Sequence, residues 1–185
     1  QKVRDIYATS VDYDSRSDAA HLFFKKVQNK MLWAVTGHTA AELISQRADA
    51  ALHNMGLTAW QGSRVRKQDV TIAKNYLNRE EIEELNRVVT MYLDYAEDQA
   101  RRRKAMTMAD WEGKLDAFLF FNEREILSHA GSVSAKVAEA LALKRYEEFN
   151  ARRNETERLE ADREDLKVLE SLAKTAKTTK GKEKE

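Results

Sequence analysis

The six residues Gly37-His38-Thr39-Ala40-Ala41-Glu42 bring an imidazole, a hydroxyl and a carboxylate together, and the guanidinium of Arg47 follows closely. These are residue types for acid–base chemistry. An imidazole titrates near neutrality, a positioned carboxylate takes or gives a proton, and a guanidinium holds developing negative charge. His38, Glu42 and Arg47 are therefore the candidate catalytic residues. If a helix continues past Glu42, Ser45, Gln46 and Asp49 share its polar face by spacings of three, four and seven. Arg47 lies on another face and needs a second element to meet them. A phosphate cradle is the weaker chemistry, because Glu42 would place a carboxylate where the helix start favours an anion.

The same hexapeptide also has a purely structural reading. Thr39-Ala40-Ala41-Glu42 matches a capping box, in which the Thr39 hydroxyl accepts from the Glu42 N–H and the Glu42 carboxylate accepts from the Thr39 N–H. Loss of such a cap typically costs about 1 kcal/mol, which is reason enough for both residue types. Gly37 suits the left-handed residue that ends the preceding helix. His38 is left without a structural reason.

A second group, Arg64, Arg66 and Lys67, has Trp60 upstream and can contact nucleic-acid phosphates while the indole stacks on a base. Solvated helix ends and salt-bridge partners are the plain alternative for this run and for Arg101-Arg102-Arg103-Lys104. Lys74 and Arg66 are further anion-binding candidates. A formal charge of +1 and a pI near 8.1 provide no strong global field for nucleic acid, so any such contact is local. The chain has no cysteine, which excludes disulfides, thiolate metal sites and thiol nucleophiles and suits a reducing cytoplasm. His21, His38, His53 and His129 are isolated, and HExxH, EF-hand, Walker, GxGxxG and GxSxG patterns are all absent. No metal or cofactor is expected.

The elements that must position these residues are helices. Proline is absent, glycine numbers 6 in 185 residues, and 34% of the chain is charged, a composition that predicts an all-α fold. No apolar run is long enough to span a membrane, and the N-terminus lacks a signal-peptide pattern. A short helix is predicted around Val3–Thr9, and Ser17 or Asp18 caps a second that buries Ala20, Phe23, Val27 and Met31. After Gly37, a helix from the Thr39 cap is expected to run to near Gly56, followed by an ordered loop over 57–67. Asp69 is expected to cap a short helix through Tyr76, and Asn78-Arg79-Glu80-Glu81 to open a long amphipathic helix through Ala100. Thr107 starts another that buries Trp111, Leu115 and Leu119. A last helix begins at Ser132 or Ser134, and its apolar positions thin beyond Ala151 to Leu159, Leu166, Leu169 and Leu172. The Lys-rich end is expected to be disordered. Residues 1–150 thus read as one compact multi-helix bundle and 151–185 as a charged helical extension with a tail.

Several stretches, in order, resemble the C-terminal region of the virulence RhuM family of bacterial proteins. They are "QKVRDIYATSVDYD", "VQNKMLWAVTGHTAAELISQRADA", "NMGLTAW", "DVTIAKNYLNREEIEELNRVVTMYLDYAEDQA" and "MTMADWEGKLDAFL". The family motif falls on Gly37 to Glu42, Arg47, Ala48 and Asp49. The family pattern implies an aromatic and a carboxylate where this chain has Ser45 and Gln46, and a Lys-Pro pair near Leu52-His53. The resemblance implies an N-terminal DNA-binding-like module ahead of this region, and the chain, beginning Gln1-Lys2-Val3, is expected to be a fragment lacking it. No enzymatic activity comes with the resemblance. The expected function is a cytoplasmic helical regulatory or interaction domain, with self-association or a protein partner and nucleic acid reached through the N-terminal module. The alternative is a toxin- or defence-type enzyme acting on nucleic acid or nucleotides through His38 and Glu42.

Overall fold

Short polar side chains set where each helix begins. A computed structural model describes residues 10–14, 16–102 and 105–182, with 171–182 described by their backbone alone. Helix α1 (Asp18–Thr36) starts where the Ser17 hydroxyl accepts from the Ala20 N–H, and it ends at Gly37. Gly37 adopts φ 67°, and its N–H donates to the Trp33 carbonyl at 2.8 Å. Helix α2 (Ala40–Arg47) opens on the Thr39–Glu42 capping box, α3 (Arg79–Arg101) on Asn78–Glu81 and α4 (Met108–Phe121) on Thr107–Asp110. Helix α5 (Ala135–Lys182) follows Ser134, whose hydroxyl accepts from the Val137 N–H. Single 3-10 turns occupy His53–Gly56 and Ala73–Tyr76, and no strand occurs among the described residues. The fold is all-α. The helix expected over Val3–Thr9, and the Arg103-Lys104 half of the second basic run, lie outside the described residues.

Three expectations change. Helix α2 stops at Arg47 rather than near Gly56, because the Arg145 guanidinium of α5 takes the Ser45 and Ala48 carbonyls and fully buried Ala48 turns extended. Asp49 therefore leaves the polar face of α2, and its carboxylate instead accepts from the Ala51 N–H. Asp69 caps no helix: it accepts from the Arg66 N–H within a turn, and helical backbone begins only at Ala73. The Lys-rich end is not a break, since the backbone stays helical to Lys182. Alanine, lysine and glutamate are strong helix formers, and no glycine or proline stands among them before Gly181.

Two clusters of side chains hold these elements. Phe23, Val27 and Met31 of α1 meet Val88 and Tyr92 of α3 and Trp111, Leu115 and Leu119 of α4. Lys30, itself buried, ties α1 to α4 through Asp116 at 2.6 Å. The second cluster joins Leu43 and Ile44 of α2 to Met55, Val65, Val70 and Leu77 of the long connection, under Ala138 and Ala142 of α5. Each such side chain contributes roughly 1.5–3 kcal/mol by leaving water, so Leu57, Val65 and Val70 anchor the connection over 57–72 to the body. Alanine at 138 and 142 lets α5 approach closely, and both are fully buried.

The arginines of α5 then bind backbone rather than solvent. Arg145 reaches the end of α2, Arg152 donates to the Ala50 carbonyl and Arg153 to the Val65 carbonyl. Past Glu157 this contact ends. Residues 158–170 are all exposed on a helix of 48 residues, roughly 72 Å long. The helix crosses position 150 without a break, and the change along it is in burial. No described helix is long and apolar enough to cross a membrane.

Candidate functional site

The Gly37 stop and the Thr39 start form the turn that carries His38. Glu42 closes the start as the spacing predicts, with the Thr39 N–H donating to Oε2 at 2.8 Å and the Thr39 hydroxyl donating to the same oxygen at 2.9 Å. Its other oxygen is filled from far along the chain. The Ser132 N–H and hydroxyl donate to Glu42 Oε1 at 2.7 and 2.6 Å. Gly131 (φ 85°) makes this possible, since a Cβ there would stand 3.0 Å from the Thr39 side chain. Burial of Glu42 pushes its carboxyl pKa up, but the bonds from Ser132 and Thr39 outweigh it and hold the pKa down at about 2. The site is thus a carboxylate that is ionised at neutral pH, with four donors on it. It locks the α1–α2 turn to the start of α5 and has no lone pair aimed at a substrate.

Arg47 is placed against Glu81, the capping residue of α3. Nη1 and Nη2 each donate to a different Glu81 oxygen at 2.6 Å, and Nη1 also reaches the Tyr76 carbonyl at 2.9 Å. Glu81 Oε2 accepts from the Asn78 N–H as well. The Arg47 bond, against burial, holds the Glu81 carboxyl below its ordinary range, with further help from the Asn78 N–H and the charges of Arg47 and His38. A two-pronged pair of this kind is strong and directional. It joins α2 to α3 and turns Nη1 and Nη2 of Arg47 into the fold.

His38 is half-buried, and its Nδ1 lies 2.6 Å from the Thr36 carbonyl. A carbonyl only accepts, so Nδ1 carries a proton and donates it to Thr36. The tertiary structure joins Arg47 to Glu81, while no hydrogen bond among the described residues joins His38 to Glu42 or to that pair. From sequence, Glu81 was legible only as a cap and Ser132 only as a possible helix start; no local signal links Ser132 to a carboxylate 90 positions away.

The basic candidates divide. Arg64 pairs with Glu157 of α5 at 3.3 Å, with both side chains substantially exposed. The Arg66 and Lys67 side chains lie on the exposed loop, whose backbone is fixed by Asp69 and by buried Val65. Trp60 is half-buried and packs against the second cluster. In the other basic run, Arg101 and Arg102 pair with Glu97 and Asp98 one turn back. Lys74 is exposed at an apolar groove of about 700 Å³ between α1 and α3, lined also by Phe24, Met31, Ile44 and Leu85. His38, Glu42 and Arg47 do not line it. Asn75, next to Lys74, is buried and donates to the Asp69 carbonyl.

Comparison with curated proteins and with solved structures gives no match. The family model described as virulence protein RhuM family matches residues 1–157, from the start of the chain to the last half-buried turn of α5. The match takes in the capped turn, both clusters and every residue of the polar network just described, so the chain belongs to the virulence protein RhuM family.

Proposed function

We propose that this chain is a helical regulatory and interaction domain, in which residues 1–150 form the supporting body and 151–185 an extension that meets a partner. The observation that carries this reading is helix α5, whose residues 158–170 leave the body and expose Leu159, Leu166 and Leu169 on a strongly charged rod. An isolated helix this polar gains nothing from the body, whereas an apolar stripe on it gains from being covered. In the intact protein the domain acts in the cytoplasm, coupled to an N-terminal DNA-binding module as the resemblance implies. Nucleic acid is then met through that module, and Arg64, Arg66 and Lys67 serve the loop and α5.

The polar network supports this reading over catalysis. Glu42 has a donor on each of its four lone-pair sites, and Arg47 is held on Glu81 and the Tyr76 carbonyl, which leaves His38 as the remaining candidate for proton transfer. The test compares two variants of the full-length protein for cellular phenotype and for thermal unfolding. Ending the chain after Glu157 is expected to abolish the phenotype with Tm unchanged within about 2 °C, while His38→Gln retains it. If His38→Gln abolishes the phenotype at unchanged Tm and the truncation does not, the enzyme acting on nucleic acid or nucleotides takes its place.

A further inference from the structure

We infer that the free part of α5 pairs with the same segment of a second copy of this chain, in antiparallel orientation, as a short two-stranded coiled coil. This deepens the interaction-domain reading and rests on it, by naming the partner and the geometry. Leu159 and Leu166 are seven residues apart, and Leu169 follows Leu166 by three, which is the a-to-d step of a heptad. All three are more than half exposed, at 52, 60 and 61%. The stripe continues by sequence position to Ala173 and Ala176 on helical backbone.

Charge selects the orientation. From Glu155 to Asp165 there are six carboxylates and two arginines, a net of 2 − 6 = −4. From Lys167 to Lys182 there are five lysines and one glutamate, a net of 5 − 1 = +4. A parallel dimer would lay each block against its own like charge, whereas an antiparallel one lays acidic against basic along the whole contact.

One register satisfies charge and apolar layering together. Setting Leu166 opposite Leu169 of the second copy also sets Leu159 opposite Ala176, and Asp162 opposite Ala173. The interface is isologous, so each layer occurs twice about one two-fold axis, with the Leu166–Leu169 layers at its centre. Glu155 then stands opposite Lys180. The two bodies lie at opposite ends of the rod, which removes any steric conflict between them. Asp162 is the one polar residue in the seam; it weakens the pair and makes it reversible.

Absence of natural cysteine makes the geometry directly testable in the whole chain. Sedimentation equilibrium of the unmodified chain is expected to show a concentration-dependent dimer. Leu166→Glu combined with Leu169→Glu is expected to shift it to monomer, with circular dichroism confirming that the body stays folded. Asp162→Leu is expected to tighten the dimer at least tenfold. Under mild oxidation, a mixture of Leu159→Cys and Ala176→Cys chains is expected to cross-link, whereas Leu159→Cys alone does not, because its own copies stand about 25 Å apart in this register. A strict monomer at high concentration, or cross-linking by Leu159→Cys alone, overturns the proposal. Phenotype loss on ending the chain after Glu157 would, in that case, still support an interaction domain with a different partner.

Discussion

Replacing Glu42 by glutamine keeps the shape and removes the charge that four donors share. In the unfolded chain the carboxyl titrates near 4.5, and in the fold it is held down at about 2. At about 1.36 kcal/mol per pH unit, that difference corresponds to roughly 3 kcal/mol. Ser132, which supplies two of the donors, is exposed to water, so screening brings the working figure to about 2 kcal/mol. The sign follows from the direction of the shift. A depressed carboxyl stabilises the fold fully above the unfolded pKa, and the contribution fades between pH 4.5 and pH 2 as the proton goes on. Urea unfolding of both chains is therefore expected to separate them by about 2 kcal/mol at pH 7 and by much less at pH 2.5. Glutamine also turns an amide N–H₂ toward the donors of Thr39 or Ser132, which sets a pH-independent offset on top. Other carboxylates titrate in this range, so the quantity to read is the difference between the two chains. A separation equal at pH 7 and pH 2.5 would refute the account of Glu42 as an ionised lock.

The same network makes two further predictions. Arg145→Met keeps the apolar stem but leaves the Ser45 and Ala48 carbonyls without their charged donor, and is expected to cost about 2 kcal/mol in urea unfolding. Gly131→Ala places a Cβ 3.0 Å from the Thr39 side chain at φ 85°, whereas at Gly37 (φ 67°) the added Cβ meets nothing within 4 Å. Both substitutions incur the left-handed backbone cost of about 1 kcal/mol, and only the first also disturbs the Glu42 lock. Gly131→Ala is therefore expected to lower Tm more, and equal losses would count against the close approach.

Four of the helix starts were legible because their physics is local. The caps at Ser17, Thr39, Asn78 and Thr107 depend on groups three residues apart, and the apolar faces of α1, α3 and α4 on steps of three and four. The all-α class and the long helices followed from composition and those short-range patterns alone. What α2 does after Arg47 was not legible, because an arginine 98 positions further on decides it, binding carbonyls at Ser45 and Ala48. The candidate site divides along the same line. Sequence placed Thr39 and Glu42 as a cap and isolated His38 as unexplained. The fold alone supplied Ser132 to Glu42 across 90 residues and Glu81 to Arg47 across 34. A hydrogen bond between distant residues has no periodicity to announce it, since chain topology and packing, rather than spacing, bring its ends together.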